Sequence, residues 1–509
     1  MAQQQQSFKM SAYEFASHHP TSTIDPSGTC QFAEGHYVRP EQFEELAHEL
    51  RNGRVIRSAD DIKPFTEELR DKFHGTAACV VQPGTVAEVQ AVMRFATRHQ
   101  IAVVPQGGNT GLVGGQIPDQ SGTQLIISMA RLNSIREVSA DGYTMCAEAG
   151  VTLQQLNEAA EQAGLLFPLS IASRGSCQLG GFLSTNAGGT AVLAYGNTRD
   201  LVLSLEVVLP DGRLWNGLHR LRKNNTGYDL KHLFIGGEGT LGIITAAELK
   251  LFDQPRGKTT AFVGLADLNA VHRLFLHAKS HFGRNLVAFE FIPQMGMEFV
   301  LKHGAQVRAP LTQLYPWQVL LEATSEQSDV DAATAMEQAL AAAVESEIAT
   351  DAVIAQSQSQ AEQFWKVRDL MSETQRPEGG SIKHDIAVPV AALPAFIDQA
   401  TELALKLIPE CRPLPFGHYG DGNVHFNISQ PINMDKQEFL DQWRPLADQV
   451  HSLAVSLGGT MSAEHGIGQL KRPDMSRHKD PVELELMRAV KQAIDPNGLM
   501  NPKKMLPDQ

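Results

Sequence analysis

The chain has 509 residues, of which 42% are hydrophobic and 20% are charged, a composition typical of a soluble enzyme with roughly two to four domains. Its formal net charge of −14 argues against nucleic acid or an anionic membrane as a general partner. No apolar stretch reaches the roughly 18 residues that a membrane span needs, and the polar, glutamine-rich segment 1–10 lacks the pattern of a signal peptide.

The cysteines are widely scattered and no C-x-x-C motif occurs, which argues against a disulfide scaffold and a thiolate zinc site. A reducing, cytoplasmic location is therefore expected. The five cysteines are Cys30, Cys79, Cys146, Cys177 and Cys411.

The first half of the chain predicts an α/β pattern after an irregular start that contains short helices such as 40–51. Thr85 and Glu88 predict a capping box at the start of a helix over 86–99. Pro210-Asp211-Gly212 predicts a hairpin turn between strands. Strands are predicted at 78–81, 101–104, 124–128, 144–149, 203–210 and 243–251.

After Pro255 the pattern changes to an α+β unit, with helices expected on one face of a largely antiparallel sheet. Helices are predicted at 268–282, 330–344, 362–374, 391–408 and 436–457, and strands at 286–292, 318–323 and 381–388. The predicted domain boundaries are 1–74, 75–253, 254–470 and 471–509.

A glycine-dense run, PQGGNTGLVGG at 105–115, follows the apolar strand 101–104. Such a turn can aim several backbone N–H groups at a pyrophosphate, and its glycines let a ligand approach the backbone closely. Neither of the standard nucleotide-loop patterns fits. The alternative at this point is a flexible surface loop.

Two further glycine clusters lie in the same α/β region. They are SRGSCQLGG at 173–181, continuing to STNAGG at 184–189, and GGEGTLG at 236–242. One elongated dinucleotide such as FAD, held by backbone contacts along its length, explains all three clusters. Three unrelated turns are the alternative.

The segment HYGDGNVH at 418–425 predicts a metal site. If Asp421-Gly422 forms a two-residue hairpin turn, His418 faces His425 with Cβ atoms roughly 5 Å apart, and both imidazoles can bind one cation. A turn at Gly422-Asn423 is the alternative register. The alternative function is two histidines hydrogen-bonded in a polar core.

The segment SAEHGIG at 462–468 adds Glu464 and His465. In extended backbone neighbouring side chains point to opposite faces, so we expect one residue to be a third metal ligand and the other to face a substrate. Two histidines and a carboxylate with an open position suit zinc or manganese.

Two basic residues are candidates for binding carboxylates. On a helix Arg368 shares a face with Ser372, four residues later, and Lys383 lies in an apolar strand where an unpaired charge is costly. Arginine binds a carboxylate through two parallel hydrogen bonds, and lysine binds as a point charge. Surface salt bridges are the alternative for both.

Taken together, these segments resemble the FAD-dependent D-2-hydroxy-acid dehydrogenases of the vanillyl-alcohol-oxidase superfamily. The resemblance covers about residues 55–507. It rests on PQGGNTG at 105–111, TNAGG at 185–189, RKNNTGYDL at 222–230, the run 236–242, the segments 418–425 and 462–468, and the terminal DPNG at 495–498 with Asn501-Pro502.

The resemblance implies an α+β fold: a PCMH-type FAD-binding domain in two subdomains, an α+β substrate-binding cap domain with an antiparallel sheet, and a short C-terminal helical segment that returns to the FAD domain. It implies non-covalent FAD, since no histidine occurs in 105–115. The implied cofactor-binding residues are Pro105, Gln106, Gly107, Gly108, Asn109, Thr110, Gly111, Leu112, Ser176, Gly180, Gly181, Thr185, Asn186, Gly188, Gly189, Glu238, Gly242, Ile243 and Asn501.

The family pattern further implies a divalent metal, zinc or alternatively manganese, bound by His418, His425 and Glu464, with His465 as general base. Asn427 matches a residue beside metal and substrate, and Arg368, Ser372 and Lys383 match carboxylate-binding positions. Ser372 replaces an expected threonine, and Lys383 favours a dicarboxylate. The implied reaction is oxidation of D-2-hydroxyglutarate to 2-oxoglutarate: the metal binds the 1-carboxylate and 2-hydroxyl, His465 takes the hydroxyl proton, and the C2 hydrogen leaves as hydride to flavin N5.

Three alternatives stay open from the sequence. They are a D-lactate or D-malate dehydrogenase of the same mechanism, a flavin-free metal-dependent hydrolase, and a flavin-binding subunit without turnover of its own. The expected electron acceptor is an electron-transfer flavoprotein, a quinone or a coupled enzyme. A homodimer is expected by resemblance.

Overall fold

The computed structural model describes residues 38–508. The predictions for segment 1–37, which include the polar N-terminus and Cys30, lie outside the described residues. The other four cysteines are buried free thiols. Within the described part of the chain, no helix is both long and apolar enough to cross a bilayer.

The N-terminal part forms a small mixed sheet in the order β1-β2-β4-β3, in which only the β1–β2 pair is antiparallel. Helices α1 and α3 pack on this sheet through a buried apolar core. The elements are α1 Pro40–Glu49, β1 Arg54–Ile56, α2 Ala59–Thr66, β2 Cys79–Gln82, α3 Val86–His99, β3 Val103–Gln106 and β4 Leu125–Ser128.

A second, antiparallel sheet follows in the order β5-β6-β10-β8-β9, and the two short strands β7 and β11 pair beside it. The predicted hairpin at Pro210-Asp211-Gly212 is confirmed, since it joins β8 to β9 and Gly212 has a φ of 82°. The elements are β5 Ile135–Ser139, β6 Thr144–Glu148, α4 Leu153–Gln162, β7 Leu165–Leu166, α5 Leu179–Ser184, α6 Val192–Tyr195, β8 Val202–Val208, β9 Leu214–Asn216, α7 Lys231–Phe234, β10 Ile243–Lys250 and β11 Phe252–Asp253.

The third sheet has seven antiparallel strands in the order β15-β12-β14-β13-β17-β18-β16. The predicted antiparallel α+β unit is therefore confirmed. Its elements are β12 Gly257–Leu265, α8 Leu268–Phe282, β13 Leu286–Pro293, α9 Gln294–His303, β14 Trp317–Ser325, α10 Asp329–Glu345, β15 Asp351–Ile354, α11 Gln358–Asp369, β16 Ser381–Ala387, α12 Leu393–Leu407, β17 Arg412–His418, β18 Asn423–Ser429, α13 Lys436–Asp441 and α14 Trp443–Ser456.

The expectation that helices cover only one face of the third sheet was wrong. Side chains alternate between the faces of a strand. Val263 belongs to the buried core that includes residues of α8, α10, α12 and α14, whereas its neighbour Phe262 belongs to the core on the other face, which includes residues of α9 and α11. The predicted helix over 436–457 is also two helices, interrupted at Gln442.

Two short helices end the chain, α15 Arg472–His478 and α16 Pro481–Ile494. The following segment returns to the first sheet: Val103 N donates to Leu499 O at 2.8 Å, and Asn501 N donates to Val103 O at 2.7 Å. Segment 499–501 thus extends the first sheet beside β3, from which the glycine run 105–115 departs.

Candidate active site

One cavity of about 530 Å³ is lined by residues of all three sheets. The glycine runs form one wall, and strands β16, β17 and β18 form the opposite wall. Residues of the predicted dinucleotide site that line it are Pro105, Gln106, Gly107, Gly108, Asn109, Thr110, Gly111, Leu112, Gly180, Gly181, Thr185, Gly188, Gly189, Glu238, Gly242 and Ile243.

Three residues of the predicted cofactor set, Ser176, Asn186 and Asn501, do not line this cavity. The Ser176 carbonyl packs so tightly on Gly108 that a Cβ there would lie 1.9 Å from its oxygen. The Asn186 side chain accepts a hydrogen bond from Arg199 N at 2.9 Å. The Asn501 amide donates to two backbone carbonyls of the glycine segments, at 2.9 and 2.8 Å. The Asn186 and Asn501 side chains and the Ser176 carbonyl therefore support the wall rather than line it.

The predicted two-residue turn between His418 and His425 was wrong in register. A 3₁₀ turn and Gly422, with a φ of 86°, connect the strands, and Phe416 is the residue that faces His425. His418 nevertheless comes close to His425 because a step of two residues from Phe416 returns it to the same face. The ring centroids of the two histidines are 5.5 Å apart.

A buried carboxylate orients His418 from the neighbouring strand. Glu290 Oε1 lies 2.6 Å from His418 Nδ1, and Glu290 Oε2 accepts from Arg368 Nε at 2.7 Å. Burial opposes charge on His418, but the Glu290 carboxylate outweighs it and raises the pKa of His418 to about 9. Since Nδ1 is held by Glu290, Nε2 is the nitrogen left to bind a ligand.

A second buried carboxylate, Asp385, shapes the 462–468 segment. Asp385 Oδ2 accepts the backbone N–H groups of Glu464 at 3.0 Å and of His465 at 2.8 Å. Because consecutive amides converge on one oxygen, the backbone here is bent rather than extended. The prediction that Glu464 and His465 point to opposite faces was therefore wrong, and both side chains enter the same cavity.

These side chains form a compact cluster. Glu464 Oε1 lies 3.7 Å from His425 Nε2 and 3.8 Å from His465 Nε2, and His465 Nδ1 lies 3.6 Å from Asp385 Oδ2. Burial raises the pKa of Glu464 to about 7 and lowers the pKa of His465 to about 4. A neutral His465 at physiological pH can accept a proton.

The donor set fits a divalent cation. One ligand atom each from Asp385, His425, Glu464 and His465 lie within 4.8 Å of one another. Asp385 is the poorest ligand of these, because it already accepts the two backbone amides and the Asn423 side chain at 3.0 Å. His418 of the predicted metal set is not among these four residues, although its ring centroid lies 5.5 Å from that of His425.

The cluster adjoins the glycine wall. A Cβ on Gly188 would lie 3.2 Å from Glu464 Oε2, so glycine permits that approach. Glu238, which is buried, accepts the backbone N–H groups of Ile467 and Gly468, both at 2.7 Å. Glu238 thus fixes the loop that carries Glu464 and His465 against the 236–242 run.

The residues predicted to bind carboxylates lie beside the cluster. Lys383 is paired with Asn427 and Asp385 with His425 between β16 and β18, so all four side chains share one face of the sheet. Lys383 Nζ lies 3.3 Å from Ser372 O, and Arg368 and Ser372 line the same cavity.

Comparisons with known proteins agree with this architecture. Residues 77–217 match the family described as "FAD binding domain", and residues 254–505 match "FAD linked oxidases, C-terminal domain". The chain is 36% identical over 468 residues to D-2-hydroxyglutarate dehydrogenase of Stutzerimonas stutzeri. The aligned region covers 92% of this chain and 99% of that protein.

The chain belongs to the D-2-hydroxyglutarate dehydrogenase family. The mitochondrial D-2-hydroxyglutarate dehydrogenase of Rattus norvegicus is 34% identical over 456 residues, covering 89% of this chain and 83% of that protein. A solved structure of p-cresol methylhydroxylase shares the fold, with a TM-score of 0.70, 15% identity and coverage of 92% of this chain and 98% of that chain.

Family membership makes the protein an FAD-dependent oxidoreductase that acts on CH–OH groups, as predicted from the resemblance. The predicted α+β architecture of the vanillyl-alcohol-oxidase type is confirmed by the fold and by the solved structure. The flavin-free hydrolase is not supported, because the glycine segments 105–115 and 173–189 lie within the region that matches an FAD-binding domain.

Sequence reasoning missed three residues that line the cavity, Asp385, Arg376 and Arg70, and also Glu290, which holds His418. Asp385 carried a signal, since it lies two residues from Lys383 in a strand and so shares its face. Glu290 also had a signal in the sequence, because it is the single carboxylate in the apolar strand AFEFI at 288–292. Arg376, four residues beyond Ser372, and Arg70 also line the cavity.

Proposed function

We propose that the protein oxidises D-2-hydroxyglutarate to 2-oxoglutarate with FAD, assisted by a divalent metal. The observation that carries the proposal is that one cavity is lined by the glycine wall of the FAD-binding domain, by His418, His425, Glu464 and His465, and by Arg368, Ser372 and Lys383. A bound FAD would accept the C2 hydrogen as hydride at N5. His465 would accept the hydroxyl proton, so the two hydrogens and two electrons of the alcohol are accounted for.

His418, His425 and Glu464 are the residues that would hold the metal, with zinc as the first candidate and manganese as the second. The metal would supply Lewis acidity to the substrate's 1-carboxylate and 2-hydroxyl. Glu290 holds His418 in place through Nδ1, as carboxylates do for metal-binding histidines. Asp385 holds the Glu464–His465 backbone and thereby sets the direction of both side chains.

His465 is suited to act as general base. Burial keeps its pKa below the ordinary range, so its imidazole is neutral at pH 7. Asp385, 3.6 Å from Nδ1, stabilises the imidazolium that forms when His465 takes the hydroxyl proton. This pairing of a base with a buried carboxylate also fixes which ring nitrogen faces the substrate.

The spacing along the sheet fits a dicarboxylate. Lys383 and Asn427 lie one pleat repeat, about 6.6 Å, from Asp385 and His425. The two carboxyl carbons of an extended five-carbon diacid are about 5 Å apart. A substrate with its 1-carboxylate at the metal cluster therefore places its distal carboxylate within reach of Lys383, while Arg368 and Ser372 line the side.

Lys383→Ala is expected to lower kcat/KM for D-2-hydroxyglutarate by about 10- to 100-fold, because a charge-assisted contact to the distal carboxylate is lost. D-lactate, which has no distal carboxylate, should change by less than about 3-fold. Anaerobic flavin reduction by each substrate measures both values. Equal losses for the two acids would contradict the assignment of Lys383.

We further propose a homodimer located in the cytoplasm, with an FAD-binding domain at 75–253, a cap domain at 254–470 and a C-terminal segment at 471–509. The electron acceptor would be an electron-transfer flavoprotein, a quinone or a coupled enzyme. Light scattering of the purified protein tests the dimer, and reoxidation of the substrate-reduced protein by each class of acceptor tests the partner.

A further inference from the structure

Four cationic side chains converge at the end of the cavity that contains Lys383. Arg70 and Lys72 come from the loop between α2 and β2, Arg376 comes from the turn after α11, and Lys383 lies on β16. All four line the cavity. The first two belong to the N-terminal part of the fold and the last two to the third sheet, so the cluster spans the cavity.

These cations have no carboxylate partner. Among residues 38–508, no carboxylate oxygen lies within 4.0 Å of a side-chain nitrogen of Arg70, Lys72, Arg376 or Lys383, whereas Arg368 in the same cavity pairs with Glu290 at 2.7 Å. Burial, then the charges of Arg70, Lys72 and Arg376, lower the pKa of Lys383 to about 7. Like charges held together in a cleft are stabilised by a bound anion.

The loop that carries Arg70 is held in place by the fold. Glu68, which is buried, accepts the backbone N–H groups of Arg70 and Lys72, the latter at 3.2 Å. Its carboxylate therefore fixes the backbone of the loop, and it forms no ion pair within 4.0 Å with either cationic side chain. Phe73 of the same loop packs on Gly114, where a Cβ would lie 2.8 Å from the ring. The loop is thus anchored to the glycine run.

Arg70 lines the same cavity as Lys383 and the proposed base. Burial lowers the pKa of His465, and the charges of Arg70 and Lys383 lower it further. The positive charge of Arg70 also lowers the pKa of Lys383. Because the Arg70 guanidinium lines the cavity with Lys383 and its charge is felt there, it can act on an anion bound beside Lys383.

We propose that Arg70 is a specificity-determining residue, which binds the distal carboxylate of a dicarboxylate substrate together with Lys383 and Arg376. Its planar guanidinium offers two parallel hydrogen bonds to a carboxylate, and Lys383 adds a point charge. The N-terminal part thus supplies one side of the substrate site and the third sheet supplies the other. This inference rests on the proposed function.

The test uses Arg70→Gln with two substrates of equal length, D-2-hydroxyglutarate and D-2-hydroxypentanoate, which has a methyl group in place of the distal carboxylate. Arg70→Gln should lower kcat/KM for the diacid by about 10- to 100-fold and for the monoacid by less than about 3-fold. Arg70→Lys should recover only part of the lost kcat/KM for the diacid, since lysine keeps the positive charge but not the two parallel N–H donors of the guanidinium. Arg273→Gln on the exposed side of α8 is the matched control and should change neither value.

Binding of the unreactive acids glutarate and pentanoate to the FAD-loaded protein, followed by flavin absorbance, separates this inference from the proposed function. If wild type oxidises neither hydroxy acid, the proposed function fails. Preferential loss of glutarate binding in Arg70→Gln would still support Arg70 as a carboxylate-binding residue. Equal effects of Arg70→Gln on diacid and monoacid, in turnover or binding, would overturn the inference.

Discussion

His465→Asn should slow flavin reduction by D-2-hydroxyglutarate by about 10²- to 10⁴-fold, the usual contribution of a positioned general base. Asparagine keeps the polarity of the side chain but cannot accept the hydroxyl proton. The backbone N–H of residue 465 would still reach Asp385, so the loop should keep its conformation. The measurement is anaerobic stopped-flow absorbance of the bound flavin.

His281→Asn is the control, because this histidine is exposed on α8 and contacts the backbone of its own helix. In His281→Asn, D-2-hydroxyglutarate should reduce the bound flavin at the wild-type rate. The FAD content of His465→Asn should equal that of wild type, so a slow rate reports chemistry and not loss of cofactor. Rapid bleaching of the flavin in His465→Asn would refute the assignment of the base.

Glu464→Gln should weaken metal binding by at least about 100-fold, since neutral amide oxygen replaces a charged ligand in a buried site. The side chain keeps its volume beside Gly188, so the fold and the FAD content should be retained. Metal analysis of the dialysed protein measures the loss, and flavin reduction by D-2-hydroxyglutarate should fall in parallel.

Glu485→Gln, on the exposed face of α16, is the matched control and should retain wild-type metal content and rate. Full metal occupancy in Glu464→Gln would show that Glu464 is not a ligand. The cluster would then have to use Asp385 and His465, the other carboxylate and imidazole within 4.8 Å.

Elements with strong local signals were predicted closely. Helix α8 covers the predicted span because Asp267 caps its first turn and Gly283 ends it. Helix α3 also covers its predicted span, 86–99, although its capping box is incomplete. The Thr85 hydroxyl accepts Glu88 N, but the Glu88 carboxylate bonds the backbone of Asn52 and Gly84 instead.

Strand β17 was not predicted because Pro413 and Pro415 lack the N–H group that a ladder needs. The structure accommodates both prolines by pairing that part of β17 with β18 alone, while β13 pairs only with Gly417 and His418. The register of the β17–β18 hairpin was also predicted wrongly. Asp421-Gly422 indicates that the chain turns there, but it does not give the length of the connecting loop.

The chemistry of the site was predictable where one segment carries it, and not where distant segments meet. His418, His425, Glu464 and His465 stand in two short motifs. The carboxylates that hold these residues in place lie outside both motifs. Glu290 precedes His418 by 128 residues, and Asp385 precedes Glu464 by 79. Only the antiparallel order of β13, β17, β18 and β16 brings these carboxylates to the cluster.

The most direct test of the account is anaerobic mixing of the FAD-loaded protein with D-2-hydroxyglutarate before and after chelation. We expect rapid bleaching of the flavin, loss of bleaching after the metal is removed, and recovery when zinc or manganese is restored. Equal bleaching of the chelated, metal-free protein would contradict the claim that the histidine–glutamate cluster activates the alcohol beside the flavin.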